Sequence, residues 1–342
     1  MVGQSLSLNH NCAGQHSFGY WSSVNFTKHC NTKNKINKAM TATIFKNHLF
    51  VLLATALVAG SFIVSENLAG IINPFSLTLL RFAGAALILS PLIIYKKEWR
   101  VKVWPTLPRG MVIGFFFAAF FIGLFEALNT TTALNTGTLY TLVPMGTALL
   151  SAFFLKDRIN RKILLVYLFG AIGTTWVVFQ GDIDALLSFS LNEGDFIFLL
   201  ASLSMCCYSV LMKFLYRNDD MVVLVFCTLL GGSFWLVLAL VFLNQPLEWH
   251  LITTKEMANI AYLILASTLL TMYLYQRTTV FLGPSSVNTY IFLNPALVAV
   301  LLFFVHGTVP KIAIIPGVFV SVLATVFLQM IGSKQREESS TS

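Results

Sequence analysis

From residue 48 to residue 331 the chain repeats one pattern ten times, an apolar run of bilayer-crossing length followed by a polar connector. The runs cover about 48–66, 74–95, 110–128, 133–155, 163–179, 195–215, 221–243, 257–275, 284–305 and 312–331. A crossing helix needs roughly 20 mostly apolar residues, and inside hydrocarbon only helices and closed barrels satisfy every backbone polar group. The pattern therefore predicts an all-α integral membrane protein with ten transmembrane helices. Composition removes the soluble alternative. Hydrophobic residues make up 56% of the chain and charged residues 11%, where soluble domains carry about 25% charged residues.

The runs are related to one another. Ala127–Asp157, ALNTTTALNTGTLYTLVPMGTALLSAFFLKD, opens on hydroxyls, carries Pro144 mid-run and stops at the basic cluster Lys156, Arg158, Arg161 and Lys162. Shifted by 151 positions it lies over TTVFLGPSSVNTYIFLNPALVAVLLFFVHG, with Pro144 over Pro295. Thr138, Leu142, Ala148, Leu150 and Phe153 then fall on Thr289, Leu293, Ala299, Leu301 and Phe304. A shift of 147 sets Leu52, Leu53 and Ala54 over Leu199, Leu200 and Ala201. Two five-helix repeats follow, over 48–179 and 195–331. Because five is odd, the second repeat enters the membrane inverted. Such repeats place a substrate site near the midplane between them, and rocking one against the other gives alternating access.

Lysine and arginine accumulate in cytoplasmic loops. With the N-terminus inside, the inner loops and tail hold Lys96, Lys97, Arg100, Lys102, Arg109, Lys156, Arg158, Arg161, Lys162, Lys213, Arg217, Arg277, Lys334 and Arg336. The outer loops hold only Lys255 and Lys311. Both termini are expected to be cytoplasmic. Residues 1–47 are polar and lack the apolar core of a signal peptide; they are expected to be a disordered tail or to precede a true start at Met40. Residues 332–342 read as a cytoplasmic tail.

The five cysteines, Cys12, Cys30, Cys206, Cys207 and Cys227, have no metal-ligand spacing. There is no Walker loop, no HExxH and no metal-spaced acid cluster, so no cofactor, no metal and no nucleotide-driven pump are expected. No nucleophile and base converge, which argues against an enzyme. The Asp219–Asp220 pair reads as a turn, and Gly170, Gly173 and Gly317 as close helix contacts.

GSFIV at 60–64, PFSLTLLRFAGAALIL at 74–89 with its arginine, and the run Ala127–Asp157 with its echo at 278–306 carry a resemblance. Over about 48–331 the chain resembles the drug/metabolite transporter superfamily, specifically its EamA-type ten-helix transporters. The resemblance implies a proton-coupled exporter of small metabolites (amino acids or drug-like compounds) in a bacterial inner membrane. Its implied partners are a small-molecule substrate, protons, the lipid bilayer and a second copy in a homodimer, with no nucleic acid. The chain departs from the family pattern at Val58, where tryptophan is usual, and at Glu66, where a base is common. It departs again at Thr308, the counterpart of the acid Asp157, and at Arg277, where an aromatic is common. Alternatives are an exchanger or importer of an anionic metabolite, and a non-transporting membrane receptor.

Charge within a bilayer costs roughly 2.5–3.5 kcal/mol on insertion scales and marks candidate sites. Arg81, about two turns into helix two, either braces structure or holds an anion or a carboxylate. Glu66 and Glu126 end helices one and three on the same side; either could carry the proton, because a dry cavity raises a carboxylate pKa and a nearby arginine lowers it. Their counterparts Lys213 and Arg277 either snorkel to the interface or gate the inner side. Asn135, Thr136 and Tyr140 on helix four, Tyr208 on helix six, and Asn288, Tyr290 and Asn294 on helix nine form the expected cavity wall. Pro144 and Pro295 are the expected kinks, and Asn294 stands out because its neighbouring proline frees a carbonyl.

Overall fold

The computed structural model describes residues 20–66, 68, 71–131, 133–159, 161–189, 191–307 and 309–341, with backbone alone at 20–41, 66, 133, 134, 306 and 334–341. The chain divides between His48 and Leu49 into two compact units. Helix α1 runs Tyr20–Glu66, so helix occupies part of the stretch expected to be a tail; its apolar segment is Ala42–Ser65. Nine further membrane-length helices follow among the described residues: α2 (Pro74–Tyr95), α3 (Lys97–Leu128), α4 (Asn135–Phe154), α5 (Arg161–Val178), α6 (Glu193–Phe214), α7 (Met221–Phe242), α8 (Met257–Leu282), α9 (Pro284–Val305) and α10 (Ile312–Ser333). The ten-helix expectation holds.

Local chemistry sets several starts. Pro74 takes the first position of α2, where no amide is needed, and Asn73 Oδ1 accepts from the amides of Phe75 (2.9 Å) and Ser76 (3.3 Å). Asn192 and Asp195 form a reciprocal capping box on α6.

Helix α3 corrects the expected boundary. It begins at Lys97 rather than near 110, because the basic stretch is amphipathic. Trp99, Val103 and Leu107 pack on Ile93, Val223 and Cys227. On its polar side Lys102 meets Asp220 at 2.5 Å, while Arg109 grips Asp219 through both terminal nitrogens at 2.5 and 2.8 Å. Asp219–Asp220 is thus more than a turn: it ties the α6–α7 connector to α3.

Three helices are interrupted. In α4 the helical pieces Ala133–Tyr140 and Val143–Phe154 are separated at Thr141 and Leu142, just before Pro144. In α9 the pieces Pro284–Asn288 and Asn294–His306 flank a 3-10 turn, Thr289–Leu293, just before Pro295. The two prolines therefore break their helices at equivalent points of the two repeats, each lacking the amide that would continue the ladder. Helix α8 contains a π-helical turn at Leu265–Leu270.

Helix α3 lies along α6 and α7, and α5 along α10. Both seams depend on missing side chains. A Cβ on Gly114 would stand 2.5 Å from the Gly232 nitrogen, and one on Gly317 would stand 2.6 Å from the Gly173 oxygen. Gly170 faces the ring of Phe292 equally closely, so the three expected glycines do allow close packing. Phe82, Leu229 and Leu236 form the core between α2, α3 and α7.

Candidate functional site

The breaks in α4 and α9 lead to one cavity of about 520 Å³. Its floor carries Tyr140 and Thr141 from the α4 break, Ile291, Asn294 and Pro295 from the α9 break, and Thr174 from α5. Its rim carries Phe62 at the end of α1, Gln180 after α5, and Val309 and Lys311 before α10. The floor is dry and the rim is not: Asn294 is 8% exposed and Thr174 1%, against 55% for Phe62 and 75% for Val309. The cavity thus opens at the sparsely charged ends of the helices, where Lys311 is the one cation lining it among the described residues.

Most polar groups around this floor are already paired. Thr174 Oγ1 donates to the Gly170 carbonyl at 2.8 Å and meets Ser321 Oγ at 3.0 Å. Asn294 differs: its Oδ1 is buried and has no hydrogen-bond partner among the described residues. An unpaired buried amide oxygen costs roughly 1–3 kcal/mol, so a group that could fill it gains that much. Tyr140, half-buried, packs near Phe120 and Phe198 (centroids 5.7 and 6.5 Å) and presents its ring to the same space. The first repeat brings Tyr140, Thr141 and Thr174 to this floor and the second brings Asn294, among walls that are mostly apolar.

The remaining candidates lie elsewhere. Asn288 donates to Thr147 Oγ1 (2.7 Å) and Ser209 Oγ (3.0 Å), a buried network joining α9, α4 and α6 behind the floor. Asn135 is likewise engaged, donating to Asp195 at 2.9 Å. Tyr208 stacks on Phe117 at 4.5 Å. Arg277 donates to Tyr273 Oη at 3.2 Å and sits 5.5 Å over the Phe50 ring. Arg81 donates to Thr268 and Ser267 on the π-turn of α8. Glu126, half-buried, accepts from Asn129 at 3.3 Å; the side chain of Glu66 lies outside the described residues. The structure therefore brings Tyr140, Asn294 and Pro295 to one cavity, leaves Pro144 outside its lining, and sets Arg81, Glu126 and Arg277 apart from it.

Three features had no sequence signal. Asp195, fully buried, accepts from the Thr131 hydroxyl, from Asn135, and from the Asn192 amide at 2.8 Å, clasping the start of α6 to the α3–α4 corner. Gln276, also fully buried, approaches Tyr208, yet neither amide atom reaches hydrogen-bond geometry with any group among the described residues. At the basic ends, Asp157 follows α4 within reach of the Ser285 hydroxyl on α9 and of the charge of Lys213 on α6. Burial pushes the Asp157 carboxyl above its usual range, against the pull of Lys213. A lysine and an acid at helix ends were visible; their nearness was not.

Comparison with known proteins agrees with this architecture. The sequence pattern of the EamA-like transporter family matches the chain twice, at residues 45–179 and 192–330. YyaM of Bacillus subtilis (strain 168), named an uncharacterized transporter, is 24% identical over 286 residues, 82% of this chain and 92% of that protein. YdfC of the same organism, named likewise, is 24% identical over 242 residues, 70% of this chain and 77% of that protein. A solved crystal structure superposes with a TM-score of 0.66 at 20% identity, covering 84% of this chain and 98% of that one, a likeness of fold.

Proposed function

The chain belongs to the EamA-like transporter family, and from that premise we propose a proton-coupled exporter of small metabolites working by alternating access. The observation that carries the reading is the cavity between the α4 and α9 breaks, with Asn294 unpaired on its floor. The cavity is open at the sparsely charged ends, while the buried Asn288–Thr147–Ser209 network stands behind its floor. With the basic ends cytoplasmic in a bacterial inner membrane, this arrangement is an outward-facing conformer ready to release cargo. Mostly apolar walls with a few polar groups, the Asn294 carboxamide and the Tyr140 phenol at the floor and Gln180 and Lys311 at the rim, suit a small amphipathic compound with a polar head. Glu126 and Glu66 are the proposed proton carriers, each at a helix end on the open side.

A second reading, exchange or import of an anionic metabolite, is favoured by Arg81, whose hydrogen-bond partners are hydroxyls rather than an acid. Proteoliposomes distinguish the two. Pooled metabolites should drive proton movement with wild-type protein, and Asn294→Leu should reduce the rate about tenfold or more by removing a substrate hydrogen bond. Glu126→Gln or Glu66→Gln should abolish the proton signal. A wild-type signal that survives both glutamate changes removes the proton assignment. Counterflow stimulated by internal substrate and insensitive to pH supports exchange instead. Full activity of Asn294→Leu rules out this cavity as the substrate site.

A further inference from the structure

Arg81 occupies the eighth position of α2, roughly 10 Å along the helix from its start. Its Nε donates to Thr268 Oγ1 at 3.0 Å and its Nη2 to Ser267 Oγ at 3.1 Å. Nη1 makes no hydrogen bond among the described residues. The two ion pairs found among those residues use Lys102 and Arg109, so no carboxylate of the described side chains stands against this guanidinium. Two neutral hydroxyls orient a cation; they do not neutralise it.

The hydroxyls matter for a second reason. Each accepts a hydrogen bond from Arg81 and still has its own hydrogen to donate. Neither Ser267 nor Thr268 donates to another side chain or carbonyl among the described residues. Both belong to the π-helical turn of α8, and such turns recur at functional sites. The set therefore offers the Nη1 hydrogens and two hydroxyl hydrogens around one positive charge that no described carboxylate offsets. Donors gathered around such a cation are complementary to an anion.

We propose that Arg81, Ser267 and Thr268 form a binding site for a monovalent anion, separate from the cavity at the α4 and α9 breaks. Carboxylate and halide share the required chemistry, the first supplied by a transported acid and the second by a chloride ion. The site does not depend on which compound is exported.

The test is thermal unfolding of the purified full-length protein in detergent, at constant ionic strength, with sodium chloride or sodium acetate replacing sodium isethionate. The wild-type midpoint should rise saturably with one of the two anions. Arg81→Gln should weaken that apparent affinity by about tenfold or more, the loss of a charge-assisted contact. Ser267→Ala with Thr268→Val, which keeps the arginine, should weaken it too and covers the case in which Arg81→Gln fails to fold. Saturation by chloride identifies a co-ion; saturation by acetate alone identifies a substrate carboxylate. A wild-type midpoint indifferent to anion identity, or an affinity unchanged in the hydroxyl double variant, overturns the site.

Discussion

In α4 the break takes two residues, Thr141 and Leu142; in α9 it takes five, wound as the 3-10 turn Thr289–Leu293. The prolines are equivalent, yet the polar residues around them have different employment. Before the α9 break, Asn288 is fully bonded to Thr147 and Ser209, and Thr289 receives Gln329. After it, Asn294 keeps an unpaired oxygen at the cavity floor. Before the α4 break stands Tyr140, half-buried in the same cavity. The two copies divide the work: α9 supplies both an anchored side and a vacant one, while α4 supplies a wall.

That contrast can be broken at its strongest point first. Asn288→Leu should destabilise the detergent-solubilised protein by about 2–3 kcal/mol, because two buried hydroxyls lose their partner. Asn294→Leu in the same unfolding assay should leave the midpoint unchanged or raise it. Equal destabilisation by both changes would erase the distinction between anchor and site.

Gln276 sharpens it further. Replacing a buried amide that nears Tyr208 but meets hydrogen-bond geometry with no described group by leucine should stabilise the fold by about 1 kcal/mol. A fall in the unfolding midpoint would show that the amide is paired in the solution structure.

The basic face offers a contrast in titration. Burial holds Asp157 above the usual carboxylate range, so the folded chain keeps a proton that the unfolded chain has lost. Stability should therefore decline as pH rises out of that range, and Asp157→Asn should flatten the decline. Burial also pushes Asp219 upward, but hydrogen bonds from Arg109 and the Arg217 amide, with the Arg109 charge, bring it below its usual value. Its contribution is complete above the ordinary carboxylate pKa and lost as pH falls beneath it, so Asp219→Asn should remove part of the acid-side loss. Unfolding midpoints between about pH 3 and 8 span both windows. The smallest effect belongs to Lys102→Ala: its pair with Asp220 is largely exposed, and the midpoint should not move measurably.

The helices and their two-fold relation were legible because both are written in apolar periodicity and in proline placement, which depend on neighbours in sequence. Pro144 and Pro295 announced kinks, and Asn294 beside Pro295 announced the floor of the cavity. What escaped was decided by residues far apart in the chain. Arg109 looked like a loop charge until Asp219 came to meet it, and with it α3 gained its first three turns. Asn288 and Asn294 are the same residue type six positions apart, and only the approach of Thr147 and Ser209 tells them apart. The π-turn of α8 left no mark in composition, so Arg81 could be flagged as costly without any view of what surrounds it.

The seam between α5 and α10 joins the last helix of one repeat to the last helix of the other, glycine against glycine. A second seam between the repeats has the same character, Gly114 of α3 against Gly232 of α7. The α5–α10 seam is also pinned from the side, by the Thr174–Ser321 hydroxyl pair and by Trp176 donating to the Ala313 carbonyl. Under the alternating access proposed above, these two close-packed seams are the places where one half would turn against the other, and any side chain added at Gly173, Gly317, Gly114 or Gly232 would jam the bearing.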